Sequence, residues 1–212
     1  MNEVFENNGL ITKLQSFYIN NRKLILGATA LFITIISIYL INYQLTNKNN
    51  EEAAKIYNQW ISQEIETDEG KLTSKKLFGE LIMDYKNSGY TQIAILNQAS
   101  LDASDENFED AIKHFSLLIE LTNGFNGNKL FNKIARINKS RLLYNQKNYD
   151  EALLILEKYK SSSDAMIHEL IGDILNKQNK FDLAKEQYLI AKDRYIDEMS
   201  ISIVNMKISN ID

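Results

Sequence analysis

Residues 24–47, LILGATALFITIISIYLINYQLTN, carry no charged side chain over 24 positions, and this run constrains everything around it. A hydrocarbon core about 30 Å thick is crossed by roughly 20 helical residues. Twelve of the first 22 residues are Leu, Ile or Phe, each favouring insertion by roughly 0.3–0.6 kcal/mol. Their sum covers Thr29, Thr34, Ser37 and Asn42. Core helices of soluble proteins rarely stay uncharged beyond about 14 residues. Cleaved signal peptides have a shorter apolar region and a small-residue cleavage site, whereas this run leaves through Tyr39, Leu40, Ile41, Asn42, Tyr43 and Gln44 with no A-x-A pattern. The reading is an uncleaved signal anchor, with Tyr18, Tyr39 and Tyr43 placed as an interfacial aromatic belt.

The anchor divides the chain into a tail (1–23), a transmembrane helix (24–46) and one larger domain (47–212). Lys13, Arg22 and Lys23 precede the span, while Lys48 and Lys55 follow it. Positive charge favours the cytoplasmic side, so the N-terminus is expected inside. In a bacterium the span would lie in the inner membrane, with the C-terminal domain in the periplasm. The absence of Cys fits either compartment. About 160 residues beyond the anchor make one domain with a real core. They contain no Pro and little Gly, which points to helices joined by short polar turns. The Asn-rich patch at 47–50 is read as a linker that holds this domain off the membrane. A net charge of −4 speaks against general nucleic-acid binding, which needs a basic face.

The larger domain repeats itself. An aromatic precedes Ala by three positions at Phe108 and Ala111, Tyr149 and Ala152, and Phe181 and Ala184, with the alanines 41 and 32 residues apart. Such periods, built of paired helices, mark solenoids. A small residue where two antiparallel helices touch lets their backbones approach, and the aromatic covers the hairpin end. In the last copy Gly172 precedes Ala184 by twelve residues, and Tyr188 and Ala191 follow it by four and seven. This spacing resembles a tetratricopeptide repeat. The corresponding positions hold Ala99 and Phe115 in the first copy, and Ser140 and Leu156 in the second. Apolar positions at spacings of three and four predict helices over 51–66, 72–85, 91–102, 106–121, 129–146, 149–160, 164–177, 181–191 and 198–208. The first is expected to turn Ala54, Tyr57, Ile61 and Ile65 to one face. Asn148 with Glu151 reads as an N-cap pair, and Gly124 and Gly127 as a break between repeats. The last helix is expected to be a polar-faced cap, as solenoid ends require. The fold class is therefore all-α: one transmembrane helix followed by a tetratricopeptide-like α-solenoid of helical hairpins.

The short tail, the single anchor, a degenerate repeat domain of this size and the ending 198–211, with its Met206-Lys207-Ile208-Ser209-Asn210-Ile211, resemble the ancillary SecYEG translocon subunit family. The segment 84–90, Asp-Tyr-Lys-Asn-Ser-Gly-Tyr, supports the resemblance. It implies an inner-membrane protein whose periplasmic repeat domain associates with the SecYEG translocon and with a membrane-anchored parvulin-type chaperone, and assists exported client proteins.

Catalytic chemistry finds little footing. His114 and His168 are the only histidines, neither in H-E-x-x-H, and no G-x-S-x-G, Walker or G-x-G-x-x-G sequence occurs. The acidic cluster Asp102, Asp105, Glu106, Glu109 and Asp110 lacks the ligand alternation of a calcium loop and reads as a solvated helix start. No enzyme activity, cofactor or metal is expected. Trp60, Phe78, Tyr85 and Tyr90 are read as helix packing. The first helix of each repeat lines the surface that takes peptides or partner helices, which places Arg141, Tyr144, Glu169, Asp173 and Asn176 as partner-binding residues. The function expected is a non-enzymatic membrane adaptor. Its rival is a signalling regulator whose tail sequesters a transcriptional regulator, with Glu3, Phe5, Leu10, Ile11, Leu14 and Phe17 forming an amphipathic helix. An interfacial helix against membrane lipid explains the same pattern.

Overall fold

The computed structural model describes residues 3–63 and 66–211, with the backbone alone for 3–8 and 10. Ile65 lies outside the described residues, as do the side chains of Glu3, Phe5 and Leu10. The chain divides into two units, Met1–Glu52 and Ala53–Asp212.

Helix α1 (Glu3–Ile61) begins in the first unit and contains the whole apolar run. Its most apolar 18-residue window has a mean hydropathy of 2.5 and no buried residue, so by length and composition it is able to cross a membrane. Thr29 Oγ1 donates to the Ile25 carbonyl at 2.8 Å and Thr34 Oγ1 to the Ala30 carbonyl at 2.9 Å. Both hydroxyls are thus satisfied inside the helix, which is what a span needs where no water is available. The linker expected at 47–50 does not form, because α1 continues through these residues. Each added residue costs an established helix only its propensity, under about 0.7 kcal/mol for Asn, because nucleation is already met. Lys48 lies 4.0 Å from Glu52 one turn on, and Ala53 and Ala54 follow.

In the second unit α2 (Asp68–Asp84), α3 (Gly89–Ser104), α4 (Phe108–Thr122), α5 (Lys129–Asn145), α6 (Tyr149–Leu156), α7 (Ala165–Lys177), α8 (Phe181–Arg194) and α9 (Glu198–Ser209) follow in order. Neighbours in sequence pack as antiparallel hairpins, α3 on α4, α5 on α6 and α7 on α8, and α9 closes against α8. Starts are set by caps. Thr67, Ser88, Asn128, Asp164 and Asp197 each accept a backbone N–H with the side chain. Thr67 begins α2 four residues before the expected start at 72. Asn148 does not cap in this way. Its amide donates instead to Glu151 Oε2 at 2.9 Å, with no side-chain bond to the helix backbone. Helix α6 ends at Leu156, short of the expected 160, and tightens into a 3₁₀ turn over Glu157–Tyr159.

The three repeats share one turn. Glu106, Lys147 and Asn179 have φ of 61°, 62° and 59°. In each case the next residue donates its N–H five positions back, Asn107 to Asp102, Asn148 to Leu143 and Lys180 to Leu175. This is the left-handed helix termination that satisfies the last carbonyls of the first helix. It also corrects the expected start of α4 at 106, since Glu106 is the turn residue itself.

Small residues meet where the helices cross. Ala99, Ala111, Ser140, Ala152 and Ala184 are fully buried, and Ser140 Oγ donates to the Ala152 carbonyl at 3.0 Å. Phe115, Leu156 and Tyr188, the residues four positions after each repeat alanine, fill the core beside them. Between the first two repeats, a Cβ on Gly127 would lie 2.1 Å from the Thr122 carbonyl oxygen, so only glycine fits that close pass. Buried Asn132 ties the same junction. Its amide donates to the Ile119 carbonyl and Thr122 Oγ1, while its oxygen accepts from Arg136 and Tyr159 at 3.1 Å each. The last helix departs from expectation. Its outer side carries Met199, Ile203 and Met206 beside Glu198, Ser202 and Ser209, so the end of the stack is polar only in part.

Candidate functional site

The five expected contact residues lie on two helices, Arg141 and Tyr144 on α5 and Glu169, Asp173 and Asn176 on α7. Helix α7 supplies Glu169, Asp173 and Asn176 at intervals of four and three, a spacing that stacks them along one side. Lys207 of α9 reaches across to both carboxylates, 2.7 Å from Glu169 Oε1 and 2.7 Å from each oxygen of Asp173. Tyr195 Oη donates to Glu169 Oε2 at 2.5 Å, and Tyr188 Oη to Asp173 Oδ1 at 2.8 Å. The ammonium of Lys207 also lies 5.8 Å from the centre of the Tyr188 ring. From α5, Arg141 donates to Met166 Sδ at 3.1 Å, and Tyr144 packs on Tyr149 with ring centres 5.8 Å apart.

The electrostatics follow from these contacts. Burial alone pushes the Glu169 carboxyl upward, but hydrogen bonds from Lys207 and Tyr195 and the charges of Lys207 and Arg141 outweigh it, and the net direction is down. Burial works against the charge on Lys207, and its bonds to Asp173 and Glu169 reverse that and raise its pKa. Tyr188 and Tyr195 are raised by burial and by donating to carboxylates. Burial also raises Tyr144, with the charge of Asp173 adding to it.

The two carboxylates expected to meet a partner are therefore spent within the chain, fastening α9 to α7. Asn176 is engaged as well, its side chain hydrogen-bonded to Tyr188, which leaves Arg141 and Tyr144 as a cation and a phenol. Lys207, Tyr188 and Tyr195 complete the network and were not among the expected contacts. A sequence signal existed for Lys207, since it is the one cation in a helix that is otherwise nearly free of charge.

Lys207 and Glu169 set a pH window for the docking of α9. A lowered Glu169 contributes fully above its ordinary 4.5, and that contribution fades as pH falls through the lowered value. A raised Lys207 contributes fully below its ordinary 10.5 and fades as pH climbs through the raised value. Replacing Lys207 by Gln is expected to cost about 1 kcal/mol at pH 7, the upper end for a solvent-screened pair, and less below pH 4. Hydrogen exchange of the α9 amides at both pH values checks this.

A second region is a cleft of about 940 Å3 between α2, α3, α4 and the end of α1. Trp60 stacks on Phe78 with centres 5.7 Å apart, and Phe78 meets His114 edge-on at 5.3 Å. His114 Nδ1 lies 2.6 Å from Asp102 Oδ2, and Gln98 donates to Asp102 Oδ1 at 2.8 Å. Asp102 is thus buried and bonded rather than solvated, which separates it from the acidic cluster in which it was read. Trp60 and Phe78 pack as expected. His168 is buried, with Nδ1 2.7 Å from Gln187 Oε1 and Nε2 2.9 Å from the Ser162 carbonyl. Among the described residues no three His, Asp or Glu side chains are grouped to hold a metal ion.

Residues 15–212 match a family described as a tetratricopeptide repeat-like domain. Among solved structures, MamA residues 41 to the end from Desulfovibrio magneticus RS-1 is similar in fold, with 18% identity and a TM-score of 0.52 over 75% of this chain and 89% of that one. No curated protein matches the sequence. Stacked helical hairpins of this kind form extended surfaces for protein partners.

Proposed function

We propose a function from one premise: this chain belongs to the tetratricopeptide repeat-like domain family. It is a non-enzymatic adaptor, held in a bacterial inner membrane by residues 24–46, with the tail 1–23 in the cytoplasm and the repeat domain 47–212 in the periplasm. There the domain associates with the SecYEG translocon and a membrane-anchored parvulin-type chaperone, and assists proteins emerging from the translocon. The observation that carries the proposal is the pairing, in one chain, of a protein-binding repeat stack with a helix whose most apolar 18-residue window has a mean hydropathy of 2.5. Confinement to the membrane raises the effective concentration of a weakly binding domain, which suits a face whose carboxylates are already engaged. Arg141 and Tyr144 are the contacts left for a partner, with Glu169, Asp173 and Asn176 holding the platform.

The test is purification of the full chain from membranes in mild detergent, beside a version lacking residues 1–47, with co-purifying proteins identified by mass spectrometry. Translocon subunits and a periplasmic chaperone recovered with the anchored chain alone are the expected result. Recovery of neither removes the translocon reading. A cytoplasmic transcriptional regulator recovered instead, and lost on deletion of residues 2–20, moves the function to the tail.

A further inference from the structure

Small residues close the later helix crossings, but the end of α1 meets α2 through the stacked rings of Trp60 and Phe78. Large side chains at a contact hold helix axes further apart, and the cleft of about 940 Å3 opens beside these rings. Helix α2 turns Lys71, Ser74, Lys75 and Phe78 to it, at the intervals of three and four that make one helix face. That face carries two cations and no acid. Like charges one turn apart repel, and neither lysine has an ion-pair partner among the described residues. Trp60 lines the same cleft and is 6% exposed, and its indole Nε1 is buried with no hydrogen-bond partner among the described residues. Buried Trp N–H groups as a rule find an acceptor.

We infer that this cleft binds a short acidic peptide segment of a partner protein, its carboxylates on Lys71 and Lys75 and an apolar side chain against the wall of Trp60 and Phe78. Charge selects the occupant. The groups left without partners on the α1 and α2 side are all donors, two ammonium groups and an indole N–H, so they call for acceptors. A carboxylate between Lys71 and Lys75 also relieves their mutual repulsion. The acids of the cleft belong to α3 and α4 and are answered there. Asp102 is held by His114 and Gln98, and Lys113 stands one turn beyond Asp110, with Asp105 at the end of α3. Ile61 and Leu101 line the cleft with exposed apolar side chains, which suits a segment that carries an apolar residue among its acids. The volume is near the top of the range for ligand sites, enough for several residues rather than one small anion. The site shares no residue with the contacts proposed on α5, and it holds or fails independently of what binds there.

Trp60 is the only tryptophan of the chain, so its emission reports this cleft alone. Full-length protein in mild detergent is titrated with the peptide Glu-Glu-Phe-Glu-Glu. A saturable change in Trp60 emission is expected, with none from Lys-Lys-Phe-Lys-Lys and a several-fold weaker Kd for Glu-Glu-Gly-Glu-Glu, which lacks the ring. Replacing Lys71 and Lys75 together by Gln should raise the Kd at least about tenfold. The same charge removed at Lys76 and Lys86, which lie outside the cleft, should change it less than about twofold, because solvent screens distant exposed charges. All four lysines are exposed, and the circular dichroism melts of both variants should match the parent. Absence of a saturable change overturns the inference. So does an equal response to the basic peptide, a Kd that moves alike with both lysine pairs, or an equal response to inorganic phosphate alone.

Discussion

Truncating Tyr188 to Ala is expected to lower the unfolding free energy by about 3–5 kcal/mol, the range for removing a large aromatic from a core. The ring is 1% exposed and is the largest fully buried side chain. It lies directly over Gly172, where a Cβ would come within 2.5 Å of it, and its hydroxyl donates to Asp173. One residue thus fills the α7–α8 crossing and braces the carboxylate that holds Lys207. Urea unfolding followed by circular dichroism measures the loss, and Tyr188→Phe isolates the hydroxyl at about 1 kcal/mol. Gly172→Ala tests the same contact from the other side. In an open helix it gains about 1 kcal/mol, but here the new methyl collides with a ring that has no room to retreat, at about 1–3 kcal/mol for overpacking. A Gly172→Ala variant more stable than the parent would show that the ring does not sit over the glycine.

Gly172, Ala184 and Tyr188 were legible in the sequence because steric demand leaves a strict trace. Where helices cross, only small residues fit, and the bulky residue one turn later closes the gap, so spacing alone located the crossings. The same logic found Ala99, Ala111, Ser140 and Ala152. What spacing does not encode is the backbone between helices. Glu106 takes a left-handed conformation that Asn or Gly adopts more readily, and an acidic residue there reads as the start of a helix. Residues 47–50 read as a linker because Asn disfavours helix when nucleation must be met locally, whereas α1 arrives already formed. The α9 network was hidden for a different reason. The partners of Lys207 lie 38 and 34 residues upstream, and no local pattern announces a pairing at that distance. Buried Asn132 is similar, since a lone Asn in a helix reads as surface until partners spread from Ile119 to Tyr159 converge on it.

Placing Arg at both Ile33 and Ile36 is expected to move the chain out of the carbonate-resistant membrane fraction. Both residues lie inside the uncharged run, 58% and 41% exposed. The twelve Leu, Ile and Phe side chains of that run favour insertion by roughly 4–7 kcal/mol in all, and each Arg near the centre opposes it by roughly 2.5–3.5 kcal/mol. Two Arg therefore cancel the sum, and the loss of two Ile tips it further. One Arg alone should leave a mixed distribution, because snorkelling and local thinning relieve part of its cost. The control that combines Ile33→Leu with Ile36→Leu preserves the hydropathy and should stay in the membrane, which separates a span from a specific helix contact. If the double Arg chain leaves the carbonate-resistant fraction but still sediments with membranes in neutral buffer, the repeat stack is retained by a partner. Membrane retention would then depend on Arg141 and Tyr144, and their replacement by Ala in the double Arg background would release the chain.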